Sequence, residues 1–202
     1  MTVLLAIGAI PSDGSNPYII MGADTRRIGA NLELEKVAVE NNFQKVHKIH
    51  DKLVGISGQF ETDFLSNFLN FIEDNDYPIN DLTEHCYSYI EQYITGSPVA
   101  NLKIAVFIGS IVDTIPTLGM IDVKKESIEN AIYQIQPVTD KVIYGSNFPT
   151  QDKDIMDEFA NKLSEGLDFK SVRISVNECL KKAATRRPDV CNRNMTLKIL
   201  GN

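Results

Sequence analysis

The order of hydrophobic periodicities along the chain is what most limits its fold. Residues 2–10 form a dense apolar run, 11–17 is a cluster of turn formers, and the apolar pattern resumes over Tyr18–Ala23. This predicts two strands joined by a turn. The segments near 34–39, 44–50 and 52–57 are β-branched or alternating, with His50-Asp51 as the turn between the last two. From Phe60 the period changes. Phe64, Leu65, Phe68, Leu69 and Ile72 share one helical face and predict a helix over 60–74. Leu82, Cys86, Ile90 and Tyr93 predict a second over 81–94, opened by Asp81 and Glu84 at capping-box spacing. Four further strands are predicted in 103–112, 117–123, 131–136 and 141–144. Another helix then carries Ile155, Phe159 and Leu163. The next carries Val172, Val176, Cys179, Leu180 and Ala183 until Pro188 stops the pattern, and 195–200 closes as a strand.

Clustered strands alternating with paired helices do not suit a parallel sheet, in which every strand needs its own crossover helix. They suit antiparallel sheets with the helices on the outer faces. Two such sheets packed face to face, each covered by a helix pair, would bury all four helical stripes. The expected fold is therefore α+β, a four-layer α-β-β-α sandwich. At 202 residues and 43% apolar, with no repeat or linker-like stretch, a single domain over 1–202 is the economical expectation.

The net charge of −7 and pI near 5.0 count against general nucleic-acid or anionic-membrane binding. Cys86, Cys179 and Cys191 are odd in number and lack C-x-x-C spacing, which argues against a disulfide framework or zinc ribbon and for a reducing cytoplasm. The run Val3–Ile7 has no lysine or arginine before it and ends at Pro11, so it reads as a strand and not a secretory leader. No apolar stretch reaches membrane-spanning length. His47 and His50, three apart on a strand, would face opposite ways and make no metal pair. Lys181, Lys182, Arg186 and Arg187 read as a solvated, dipole-compensating helix end, and Phe64, Phe68 and Phe71 read as core. No cofactor or metal site is expected.

Chemistry enters at Thr2. Removal of Met1 would leave a threonine whose hydroxyl and free α-amine lie on one residue, bringing nucleophile and base together. Further along stand Gly22-Ala23-Asp24-Thr25-Arg26, Gln44-Lys45-Val46 and Gly55-Ile56-Ser57-Gly58. In order and spacing these motifs resemble the proteasome β-subunit family and its bacterial relative, the peptidase of the two-component ATP-dependent protease. The resemblance implies the N-terminal-nucleophile hydrolase fold. It also implies a threonine peptidase acting through an acyl-enzyme, with Thr2 as nucleophile, Lys45 as the catalytic lysine and Asp24 as its carboxylate. Gly58 matches the oxyanion glycine. Tyr144-Gly145-Ser146 resembles the Gly-Ser that approaches the nucleophile, and Asp189 the aspartate that supports that serine and the N-terminus. A homo-oligomer, in the form of a closed ring that hides the site, and an ATP-dependent unfoldase or cap are implied as partners of a peptide hydrolase.

The residue types suit that chemistry. A threonine hydroxyl needs a proton acceptor, and an α-amine with an ordinary pKa of about 8 can serve directly or through one water. Lys45 as an ammonium would favour the neutral amine and the developing alkoxide, while Asp24 would orient it. The sequence departs from the family pattern at Asn192, where a serine is expected before a Gly-Gly pair that here is Arg193-Asn194, and at Gln59, which replaces a second glycine. Two alternatives stay open: a small-molecule amidase or acyl transferase on the same fold, or a non-catalytic scaffold subunit. Scaffold subunits usually carry a long N-terminal helical extension, whereas only Met1 precedes Thr2 here.

Overall fold

The computed structural model describes residues 3–30, 36–60, 62–100, 102–139 and 141–201. Strand β1 (Leu4–Ala9) and strand β2 (Tyr18–Asp24) pair as a hairpin in the middle of a four-stranded sheet. After them come β3 (Arg27–Ala30) and β4 (Lys36–Glu40), a separate two-stranded hairpin, and then β5 (Val46–Ile49) and β6 (Lys52–Gly58). Helices α1 (Thr62–Asp74) and α2 (Ile79–Gly96) follow, and the chain continues through β7 (Lys103–Val112), β8 (Ile115–Lys124) and β9 (Ile132–Pro137). The remaining elements are β10 (Val142–Ser146), α3 (Lys153–Glu165), α4 (Phe169–Thr185) and β11 (Met195–Gly201). The sheets have the orders β10-β1-β2-β11 and β5-β6-β7-β8-β9, and every pairing is antiparallel.

Side-chain alternation sorts these strands into layers. On β1, Leu5, Ile7 and Ala9 face the α3–α4 pair, where they meet Phe159, Val176 and Leu180. Leu4 and Ala6 point the other way and pack with Ile19, Met21, Leu53, Phe107 and Leu118 between the two sheets. On the far side, Val54, Ile56, Val106 and Ile108 cover the inner faces of α1 and α2 at Phe68, Leu82 and Ile90. Three apolar seams thus hold four layers, as the periodicity predicts, and each fully buried Leu, Ile or Phe contributes roughly 1.5–3 kcal/mol.

Local details differ from expectation in four places. Strand β3 over 27–30 lies outside the segments that the sequence predicts as strands. Helix α2 begins at Ile79, and the Asp81/Glu84 capping box does not form: Pro78 is the cap residue, no side chain caps the helix, and the Pro78 carbonyl accepts from Leu82 N–H at 2.8 Å. His50 lies in the turn with φ of 51°, off the strand, its Nε2 2.9 Å from the Glu73 carbonyl. The basic end of α4 is also more than solvated. Lys182 pairs with Glu158, Arg186 with Asp154, and both Arg186 and Arg187 with the buried Asp152, so it fastens α4 to α3. Among the described residues, no helix is long and apolar enough to cross a membrane.

Candidate active site

Antiparallel pairing in the first sheet brings the start of β1, the end of β2, the end of β10 and the start of β11 to one end of the sandwich, as the registers Leu4↔Ala23, Leu5↔Ser146 and Met195↔Asp24 show. In the second sheet, Lys45 precedes β5 and its carbonyl accepts from Ile56 N–H at 2.9 Å, near the end of β6. The two sheets therefore present Asp24 and Lys45 to each other.

Asp24 is fully buried and Lys45 is 4% exposed. The Lys45 Nζ donates to Asp24 Oδ1 at 3.0 Å, and the same oxygen accepts from Val3 N–H at 3.1 Å. Asp24 Oδ2 accepts from Arg26 N–H at 3.1 Å. Burial pushes the Lys45 pKa down, and the adjacent Asp24 carboxylate works against that shift. Removing two ions from water costs several kcal/mol each, so such a pair is weak as a stabilising device. A buried, specifically partnered lysine is a functional-site candidate. The buried Cys191 thiol shares this field, and its pKa is pushed up by burial first and by Asp24 next. It is held as a neutral thiol and not as a competing thiolate.

Gly58 ends β6 with its surface exposed and φ of 143°. A Cβ there would stand 2.1 Å from the Lys103 carbonyl oxygen, so both conformation and space require glycine. The neighbouring Gln59 N–H donates to that oxygen at 2.9 Å and fixes the strand end, although its residue type departs from the family pattern. Ser146 is half-buried at the end of β10 and pairs with Leu5. Asp189, in contrast, is exposed in the turn beyond α4 and has no hydrogen bond to a described residue. Thr2 lies outside the described residues, but Val3, the next residue, is held by Asp24.

Asn147 is a site residue that the motifs did not disclose. Its Oδ1 accepts from Leu4 N–H at 2.8 Å and its Nδ2 donates to Ser57 Oγ at 2.6 Å. One amide thus ties the first residue of β1 to the second sheet. Asn192 clamps the other flank: its Oδ1 accepts from Thr25 N–H at 3.2 Å and its Nδ2 donates to the Asn41 carbonyl at 3.1 Å. The Thr25 hydroxyl donates to that same carbonyl at 2.6 Å. Arg26 completes the frame through the Pro188 carbonyl and Asn41 Oδ1.

Sheet order, helix placement and layer packing give the chain a four-layer α-β-β-α sandwich, consistent with the fold of N-terminal-nucleophile hydrolases. No family model matches the sequence, and no curated protein resembles it significantly. Solved structures share the fold. The Anbu complex from Pseudomonas aeruginosa, a helical assembly, superposes with a TM-score of 0.61 at 11% identity over 98% of this chain and 81% of that one. Anbu (ancestral beta-subunit) from Yersinia bercovieri gives 0.61 at 10% identity with the same coverage. The BPH of Thiobacillus denitrificans, solved in complex with epoxomicin, gives 0.56 at 14% identity over 98% of both chains. At these identities the likeness is one of fold.

Proposed function

We propose that the chain is a threonine-type N-terminal-nucleophile hydrolase that cleaves peptide amide bonds, working as an assembly of copies. The observation that carries this reading is the buried Asp24–Lys45 pair, whose carboxylate grips the N–H of the residue following Thr2. With Met1 removed, the Thr2 α-amine takes the proton of its own hydroxyl, and Oγ attacks the substrate carbonyl carbon. The Lys45 ammonium disfavours a second cation on the α-amine and stabilises the developing alkoxide. The carbonyl oxygen becomes an oxyanion, which the Gly58 N–H receives, an interaction whose loss typically costs about 3–4 kcal/mol. The C–N bond breaks as the α-ammonium returns its proton to the leaving amine. Water then cleaves the ester on Thr2 and restores the enzyme. Ser146 and Asn147 keep the N-terminal strand in place for both steps.

The test is turnover of fluorogenic peptide amides by material beginning at Thr2 and by material that retains Met1. Only the first is expected to release product. Equal activity in the two would overturn the α-amine mechanism. Cleavage of simple acyl amides with no cleavage of peptides would replace the peptidase reading with the small-amidase one.

A further inference from the structure

The net charge of −7 is spread unevenly. Between Lys52 and Lys103 the sequence has eight acidic residues and no lysine or arginine, and this stretch forms the α1–α2 layer. On α2, Asp81, Glu84 and Glu91 follow one another at intervals that keep them on one side of the helix. Asp81 and Glu84 are exposed, and Glu91 accepts from the Tyr87 hydroxyl at 3.1 Å.

The opposite outer layer is balanced in charge overall, but its helix α4 carries four cations, Lys170, Arg173, Lys181 and Lys182, against one carboxylate, Glu178. Lys170, Arg173 and Lys181 line a groove of about 690 Å³ between α4 and the edge strand β11, together with Met195, Leu197 and Glu178, whose carboxylate is taken up by Lys162 at 2.6 Å. Ile174, 51% exposed, lies among the three cations. The other cations at the end of α4 are committed to α3 and the turn before it, as described above. Lys170, Arg173 and Lys181 have no carboxylate partner among the described residues. At about 1.5 Å of rise per residue, the cationic ridge from Lys170 to Lys181 and the anionic ridge from Asp81 to Glu91 are each roughly 16 Å long.

We propose that the acidic α2 face of one copy docks on the basic α4–β11 groove of a second copy, with Ile174 at the centre of the contact. The carboxylates of Asp81, Glu84 and Glu91 lie against Lys170, Arg173 and Lys181. Because the two faces belong to opposite outer layers, the contact is head-to-tail and leaves a free acidic face and a free basic face at the ends. It therefore propagates until a ring closes or a helical array forms. Copies that each carry −7 repel at long range, so the contact depends on local complementarity and weakens as salt screens it. It rests on the reading of the chain as an assembly of copies and stands apart from the chemistry at Thr2, which the peptide-turnover test addresses separately.

Sedimentation velocity of the full chain tests this with two charge-reversed variants. One is K170E/R173E/K181E and the other D81K/E84K/E91K, with circular dichroism as the folding control. The wild type is expected to assemble at low salt and dissociate at high salt, and each variant alone to dissociate about tenfold more readily or worse. An equimolar mixture of the two variants is expected to assemble again, because the mixture restores opposite charges at every contact. Assembly indifferent to salt and to both reversals, or a mixture that stays monomeric, would overturn the proposal. So would a monomeric wild type, and if that monomer binds an oligoglutamate probe at Lys170, Arg173 and Lys181, the occupant is an acidic partner of another kind.

Discussion

Replacing Lys45 with alanine removes the ammonium 3.0 Å from Asp24 and leaves that carboxylate with backbone donors only. We expect peptide turnover to fall about a thousandfold, a loss of the size seen when a transition-state donor is removed. Lys45→Arg should fail comparably, because a planar guanidinium cannot take the place of a compact ammonium. Near-normal rates in either variant would remove Lys45 from the mechanism. The same lysine predicts a pH dependence. Its folded pKa lies below the ordinary 10.5, so between the two values the unfolded chain binds more protons and stability rises with pH. Below that window the full penalty for burying the ammonium remains. Urea midpoints compared with those of Lys45→Met should show the wild type gaining on the variant as pH climbs toward 10.5, and a flat difference would contradict the assignment. Asn192→Ser should change turnover only modestly if the amide already meets the needs of Thr25 and Asn41. A large gain would show that the natural residue attenuates the enzyme. Asp24, Lys45 and Gly58 are legible in the sequence because each lies in a short motif at a strand end. Asn147 is not, since its partners Leu4 and Ser57 are distant in the chain and only the fold brings them near.

At the scale of elements, strand and helix periods survive because each element buries a face. The strands β1, β2, β6, β7 and β8 and all four helices contribute to the apolar seams, and the predicted segments coincide with them to within a few residues. The strand β3 is not legible in the sequence because it spans only Arg27–Ala30 and pairs with its own hairpin partner, so no long alternation marks it. The start of α2 precedes the Asp81/Glu84 spacing because Pro78, with φ of −52°, sets the first turn geometrically and needs no side-chain cap. The link between α3 and α4 offers a stability test. Asp152 is fully buried against Arg187, and Asp152→Ala would leave that guanidinium without its buried partner. Breaking a buried pair in this way typically costs about 3–5 kcal/mol, so the denaturant midpoint should drop sharply. A shift within about 0.5 kcal/mol, the size of an ordinary surface change, would show the contact to be incidental.

On the scale of the whole molecule, four layers are fastened at one end by polar contacts that also surround the start of β1. Asp24 holds Val3, Asn147 holds Leu4, and Lys45 comes from the other sheet. These contacts hold the start of β1 in one fixed position between the two sheets. Layer order was readable from periodicity alone, but the charge asymmetry between the outer helix pairs needs the layers to be placed before it has meaning. The most direct test of the central claim is an intact-mass measurement after treatment with a threonine-directed electrophile, on chain beginning at Thr2 and on chain retaining Met1, with the modified residue located by fragmentation. The α-amine mechanism predicts one adduct per chain, confined to Thr2, in the first preparation and none in the second. An adduct on the Met1-bearing form, or none on a verified Thr2 terminus, would contradict it.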